Sequence, residues 1–265
     1  ARVQDLRPPM LGRLLPLSRA SRVLSVSVAA RAMSVGIRVD HAKECLAKAD
    51  AVCFDVDSTV IKEEGIDEFA AYLGVGEEVA ALTAAAMGGD TPFHVALENR
   101  LKVMQPTKQK LDTMLAENPA EGLLTPGISE LISELQAGGK VVYLVSGGFR
   151  QMIEPIAEVV HVKKTDIYAN SFMFHEDGSW KCHDDTEPTS RAGGKAKVVA
   201  ELKAKHGYTT VVMVGDGATD MEARDVEGGA DAFIGFGAIQ VREKVKAGAD
   251  WFVMDFDEMR AVLKK

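Results

Sequence analysis

Two carboxylates two residues apart, in Asp55-Val56-Asp57-Ser58-Thr59, follow directly on the apolar run Ala51–Phe54. One carboxylate can attack the phosphorus of a phosphate monoester while the other protonates the departing oxygen. The same string also suits a structural ion-binding loop or a solvated acidic turn. A second candidate is Ser146-Gly147-Gly148 after Val141–Val145. A hydroxyl and bare backbone amides can meet a phosphate there, or simply turn the chain from strand to helix. A third is Gly215-Asp216-Gly217-Ala218-Thr219-Asp220 after Val211–Val214. Mg²⁺ takes a few carboxylates together with water and phosphate oxygens, so Asp216 can join Asp55 around one ion. Such an ion offsets the repulsion between an attacking aspartate and a dianionic ester. Lys195, at the start of an expected helix, either completes the charge balance or faces solvent.

These residues need a frame that brings them to one place. The Val-rich runs before each motif suit strands buried on both faces, as in a parallel sheet. Between them lie helical patterns. Thr125-Pro126 predicts an N-cap followed by proline at the first helical position. Ile128, Leu131, Ile132 and Leu135 then mark one helical face, and Gly138-Gly139 stops the helix. A further helix is expected over about 195–205, ending at Gly207. Strands alternating with helices predict an α/β fold with a doubly wound parallel sheet, on which all three polar turns fall at one edge. Residues 66–122 break the alternation, being rich in Ala, Met and Leu without a convincing strand. They predict a helical cap inserted after the first strand, hanging over the carboxyl edge as a lid, or else a purely structural bundle. The expected domains are therefore 1–37, then a core of 38–65 and 123–265, with the cap between. Phe172, Phe174, Trp180 and Asp177-Gly178 suggest a small β-hairpin.

Composition limits the alternatives. At 265 residues and 46% hydrophobic, the chain can bury a full-sized core. A net charge of −8 without a Lys/Arg stripe argues against nucleic acid, and no apolar run is long enough to span a membrane. The charge is unevenly spread: residues 1–37 carry six arginines, no lysine and one acid, several serines among them. That is the composition of an organelle transit peptide, or of an ordinary disordered tail. Cys45, Cys53 and Cys182 form no CxxC pair and read as reduced thiols of an intracellular protein. The six histidines show no metal-ligand spacing.

The order nucleophile, phosphate-binding serine, lysine, acidic ion site resembles the haloacid dehalogenase superfamily. Its four motifs match Asp55/Asp57, Ser146, Lys195 and Asp216/Asp220. The strings DVDSTVIKEEGIDEFA, AMGG, PFHVALENRL, LTPGI, LVSGGFR, AGGKAK and VGDGATDMEA extend the likeness to the phosphoserine phosphatase family over most of residues 50–240. The resemblance implies a Rossmannoid core and Mg²⁺-dependent hydrolysis of O-phospho-L-serine through an aspartyl-phosphate, the last step of the phosphorylated route to serine. It makes Asp55 the nucleophile and an ion ligand. Asp57 becomes general acid and then base, holding the ion by its backbone carbonyl. Ser146, Gly147 and Lys195 bind phosphate, Asp216 completes the ion site, and Thr219 and Asp220 support it. It also implies a homodimer, and, with the segment GGADAFIGFGAIQVREKVKAGADW and the arginine-rich N-terminus, a plastid location with the mitochondrion as alternative.

Substrate selection can be argued from residues as well. Phe93, Ala96, Leu97, Arg100, Leu101 and Met104 share one helical face, which places Arg100 within an apolar stripe where an unpaired guanidinium is costly. Its partner is either a protein carboxylate such as Glu64, or an anionic ligand that its planar fork can grip bidentately; a solvent-facing arginine at a helix kink is the third option. In the family, residues matching Glu64 and Arg100 bind substrate ammonium and carboxylate, while Met87, Gly88 and Phe93 line the pocket. A phosphatase of another small metabolite, or a phosphotransferase, would share every motif except this pocket. A catalytically silent binding module would not need the second in-line carboxylate at Asp57.

Overall fold

A computed structural model of the chain describes residues 36–87 and 92–264, and Arg38–Lys265 form one compact unit. The arginine-rich segment expected to be a transit peptide lies, but for residues 36–37, outside the described residues, as does Gly88.

The unit is built on six parallel strands: β1 (Ala51–Phe54), β2 (Val141–Phe149), β3 (Ile167–Asn170), then β6 (Val211–Gly215), β7 (Ala232–Phe236) and β8 (Trp251–Val253). Their spatial order is β3-β2-β1-β6-β7-β8. The two intervening strands, β4 (Phe172–Phe174) and β5 (Trp180–His183), make the expected separate antiparallel hairpin. Alternate residues of each central strand serve two layers. Val52, Phe54, Val142, Leu144, Val212 and Val214 face a cluster with Leu46, Ile128, Leu131, Ile156 and Phe256. Ala51, Cys53, Tyr143, Val145, Val211 and Met213 face a cluster with Val198, Leu202, Ala223 and Val245. A strand covered on both faces has no polar side to show, which is why these runs read as continuous apolar stretches.

The first layer holds α1 (helical through residues 38–48), and the connection between β1 and β2 carries α2 (Gly65–Tyr72), α3 (Gly76–Met87), α4 (Phe93–Met104), α5 (Lys108–Glu117) and α6 (Ala120–Leu123), then α7 (Ile128–Ala137). Downstream are α8 (Arg150–Val159), α9 (Gly194–His206), α10 (Ala218–Asp225), α11 (Glu243–Gly248) and α12 (Phe256–Leu263). Helices α2–α6 leave and rejoin the core side by side. Ile61 bridges Leu124, the Lys62 amide donates to the Leu123 carbonyl, and the Thr125 amide to that of Val60. They bury their own cluster of Phe69, Leu97, Leu101, Met104, Leu111 and Met114. The hairpin braces that cluster: Phe172 stacks on Phe149 at 3.7 Å between ring centroids and meets Phe69 edge-on.

Two local expectations change. Thr125 does not cap α7. Its hydroxyl is buried without a partner among the described residues, and the Ile128 amide instead donates to its carbonyl across Thr125-Pro126-Gly127-Ile128. Gly127, at φ 84° and ψ −6°, has the angles of the third residue of a type II turn, so Pro-Gly makes a tight turn before the helix rather than its first turn. The second change is at Ser146-Gly147-Gly148, which is not a strand-ending turn. Pairing of β2 with β3 breaks after Val145↔Tyr168 and resumes at Phe149↔Asn170, so the three residues form a bulge inside the strand. Bulges re-aim side chains at functional edges.

Candidate active site

The registers Phe54↔Leu144 and Phe54↔Val214 bring the ends of β1, β2 and β6 level, so the residues that follow converge at one edge. Asp55 leaves β1 with its amide on the Val214 carbonyl, while its Oδ1 accepts the Val56 amide at 2.7 Å. The chain then kinks. Asp57 is extended and Ser58 is left-handed at φ 53°. Left-handed backbone is unfavourable for a serine and persists only where the surroundings fix it. Here the Ser58 amide donates to the Glu63 carbonyl at 3.2 Å and its Oγ to Glu64 at 2.9 Å. The kink lets Asp55 and Asp57 escape the strand alternation and share one space.

Lys195, at the start of α9, is the electrostatic centre of the core side. Its Nζ lies 2.7 Å from Asp55 Oδ1 and 2.7 Å from Asp220 Oδ1, and all three residues are buried. Burial works against the ammonium, but Asp220 and Asp55 outweigh it and hold its pKa above that of an ordinary lysine. Asp220 itself is fully enclosed, with Oδ2 accepting the Gly217 amide at 2.9 Å. Burial and the neighbouring Asp55 push its pKa up. A Cβ on Gly215 would lie 2.3 Å from the Asp220 carboxyl carbon, so only glycine lets Asp220 pack there.

Asp57 is differently placed. Its Oδ1 accepts the Gly65 amide at 2.8 Å, and Ser146 Oγ stands 3.4 Å from its Oδ2. Burial first, then the charges of Asp55 and Glu64, push its pKa up to about 7. A carboxyl tuned to that range can give a proton and take it back near neutral pH. Ser146 is fully buried, its Oγ accepting the Gly148 amide at 2.9 Å.

Side-chain oxygens of Asp55, Asp216 and Asp220 lie within 4.8 Å of one another, close enough to hold a cation together. Among the described residues Lys195 and Arg242 are the two cations paired with these three carboxylates, which leaves negative charge that a divalent ion fits. Burial and then Asp55 raise the pKa of Asp216, while Arg242 opposes the rise.

One cleft of about 550 Å³ gathers most of the expected residues. Asp55, Asp57, Glu64, Phe93, Arg100, Gly147, Lys195, Asp216 and Thr219 all line it. Ser146 and Asp220 sit behind that lining. Met87 closes α3, but its side chain and Gly88 lie outside the described residues. Arg100 settles one alternative left open by the sequence. Among the described residues it forms no ion pair with Glu64, and its Nε is buried without a hydrogen-bond partner. Burial lowers its pKa, with Asp67, Glu64 and Asp57 opposing from a distance. A guanidinium in that condition can take an anion that arrives from outside.

Three residues escaped the sequence analysis. Arg242, just before α11, places Nε 2.8 Å from Asp216 Oδ2 and a terminal nitrogen 3.6 Å from Glu64. Asn170, at the end of β3, donates from Nδ2 to the Gly147 carbonyl at 2.7 Å and accepts from Thr189 Oγ1 at 3.1 Å. Both Asn170 and Thr189 are buried, so they pin the bulge. No local pattern marks these three, because each reaches the site from its own distant connection.

The haloacid dehalogenase-like hydrolase family matches residues 49–224. The phosphoserine phosphatase of Bos taurus is 48% identical over 217 residues, 82% of this chain and 94% of that one. The chloroplastic phosphoserine phosphatase of Arabidopsis thaliana is 48% identical over 210 residues, 79% of this chain and 70% of that one. Among solved structures, a phospho-aspartyl intermediate analogue of phosphoserine phosphatase is similar with a TM-score of 0.66 at 29% identity, covering 82% of this chain and 98% of that one. The chain belongs to the haloacid dehalogenase-like hydrolases and, within them, to the phosphoserine phosphatase family.

Proposed function

We propose that this chain hydrolyses O-phospho-L-serine to L-serine and phosphate, the last step of the phosphorylated route to serine, and that Asp55 carries the phosphoryl group between two half-reactions. The observation that carries the substrate is Arg100, which lines the Asp55 cleft with its Nε buried and without a hydrogen-bond partner among the described residues, while Glu64 lines the same cleft. Arg100 takes the substrate carboxylate and Glu64 its ammonium, with Phe93 lining the pocket; the family resemblance assigns Met87 and Gly88 to it as well. Three groups bind phosphate: Lys195, Ser146 and the Gly147 amide.

In the first half-reaction Asp55 Oδ attacks phosphorus in line. The bond from phosphorus to the seryl oxygen breaks, and Asp57 gives that oxygen its proton. In the second, a water attacks phosphorus and surrenders its proton to Asp57, and the Asp55 carboxylate is released with phosphate. Asp55, Asp216 and the Asp57 backbone carbonyl would hold Mg²⁺, with Asp220 and Thr219 in support. Bound there, the ion supplies charge neutralisation for the phosphoryl oxygens. Helices within 66–122 act as a lid that excludes bulk water.

Phosphate release with Mg²⁺ or EDTA, across phosphoserine, phosphothreonine, phosphoethanolamine and sugar phosphates, tests this directly. Mg²⁺-dependent release strongest on phosphoserine supports it; preference for another ester keeps Asp55 and discards the substrate. The likeness to a chloroplastic relative and the arginine-rich N-terminus support a plastid location. A fluorescent fusion to residues 1–37 that stays in the cytosol contradicts that, and one that enters mitochondria selects the alternative. The homodimer implied by the family is tested by sedimentation.

A further inference from the structure

On the far side of Asp57 lies a second cavity, of about 250 Å³. Asp57 and Gly148 belong to the walls of both this cavity and the cleft. Ile66 of α2 lines both as well, and most of the remaining wall is apolar, with Met114 of α5 against Phe149 at the end of β2 and Met152 and Ile156 of α8. It therefore lies where the helices inserted after β1 meet the sheet layer. An aliphatic cavity of about 150 Å³ stays dry and accepts benzene, so this one has room for a ring with a short tail. The two methionines can adjust to the occupant's shape.

Its charge is one-sided. The lining includes the acids Asp57, Glu63 and Glu68, and no lysine, arginine or histidine. Glu63 Oε2 is buried without a hydrogen-bond partner among the described residues, whereas the adjacent Glu64 is met by Ser58 and Arg242. An unmatched carboxylate oxygen beside apolar walls is costly, and a ligand ammonium would relieve that cost.

We propose that this cavity is a regulatory site for a small primary amine carrying an apolar ring, with the ammonium on Glu63 and the ring among Met114, Phe149, Met152 and Ile156. An occupant touches both α5 and α8, so it holds the helical insert against the sheet layer and hinders the lid movement that turnover requires. It inhibits without occupying the Arg100 cleft.

The test is a titration of the full chain, carrying ¹³C-methyl methionine, with 2-phenylethylamine and with the uncharged 2-phenylethanol. Methyl signals are assigned by Met114→Leu and Met152→Leu. The amine should shift both methyls saturably, and the alcohol should bind about tenfold more weakly for want of the charge-assisted contact. Glu63→Gln should weaken the amine by a similar factor, and Leu115→Trp, which fills the cavity, should abolish the shifts. In phosphate-release assays the amine should lower kcat and leave KM unchanged. Shifts absent from both methyls, equal binding of amine and alcohol, or displacement of the amine by phosphoserine with a rise in KM alone would each overturn the proposal. The methyl titration does not use turnover, so it decides the matter even if phosphoserine proves not to be the substrate.

Discussion

The core side and the helical side of the cleft are finished to different degrees. On the core side charges are already matched: Lys195 stands between Asp55 and Asp220, and Arg242 holds Asp216, all within 2.8 Å. On the helical side Arg100 has a buried nitrogen with no partner among the described residues. A site that must stabilise the same phosphoryl group at every turnover gains from groups fixed in advance. A site that must recognise one molecule among many gains from a polar group left unsatisfied until the correct ligand supplies the match, because a ligand lacking that group leaves the cost in place. Under the proposed function, this division assigns chemistry to the core and specificity to the insert.

The contrast can be broken most severely at the core. Asp55→Asn removes the attacking charge and an ion ligand together, and kcat should fall by roughly 10⁵ or more, as when other covalent nucleophiles are deleted. Activity kept within a few-fold would end the covalent mechanism. Arg100→Ala acts on recognition alone. kcat/KM for phosphoserine should drop about 10²–10³-fold, as for truncating one side of a buried charge pair, while p-nitrophenyl phosphate loses only a few-fold. Equal losses on both esters would make Arg100 a structural residue.

Smaller effects follow from Asp57. Its pKa is pushed up to about 7 from an ordinary 3.8. It is therefore protonated below that value, as the leaving oxygen requires, and ionised above it. kcat/KM should fall about tenfold per pH unit above 7, with the break lost in Asp57→Asn. A profile flat to pH 9 would remove Asp57 from the acid role. The same shift has a folding consequence whose sign is fixed. A carboxyl whose folded pKa exceeds its unfolded one stabilises less as pH rises from about 4 to about 7. In EDTA at pH 8, Asp57→Asn should thus be more stable to urea than the parent by about 1–2 kcal/mol, a discounted value because the residue is half-buried. The advantage should shrink at pH 4.

What the sequence revealed depended on how local each signal was. The strands before Asp55 and Asp216 were legible because a strand buried on both faces writes an unbroken apolar run, and the motif residue is its next neighbour. The stripe on α4 exposed Arg100 because helical spacing alone places it between Leu97 and Leu101. The hairpin around Asp177-Gly178 was legible from its turn, but its work against Phe149 and Phe69 was not, since stacking across distant segments leaves no pattern in either. For the same reason Asn170, Thr189 and Arg242 went unseen. Thr125 misled because a threonine before proline suits both a helix cap and a Pro-Gly turn, and Gly127 decides for the turn.

The most direct test of the central claim is a rapid-quench experiment with ³²P-labelled phosphoserine and Mg²⁺. Label should appear transiently on the protein, survive acid, be released by hydroxylamine, and map to the peptide containing Asp55; Asp55→Asn should carry none. Label on a histidine or serine, or turnover with no labelled protein at any time, would contradict an aspartyl-phosphate at Asp55.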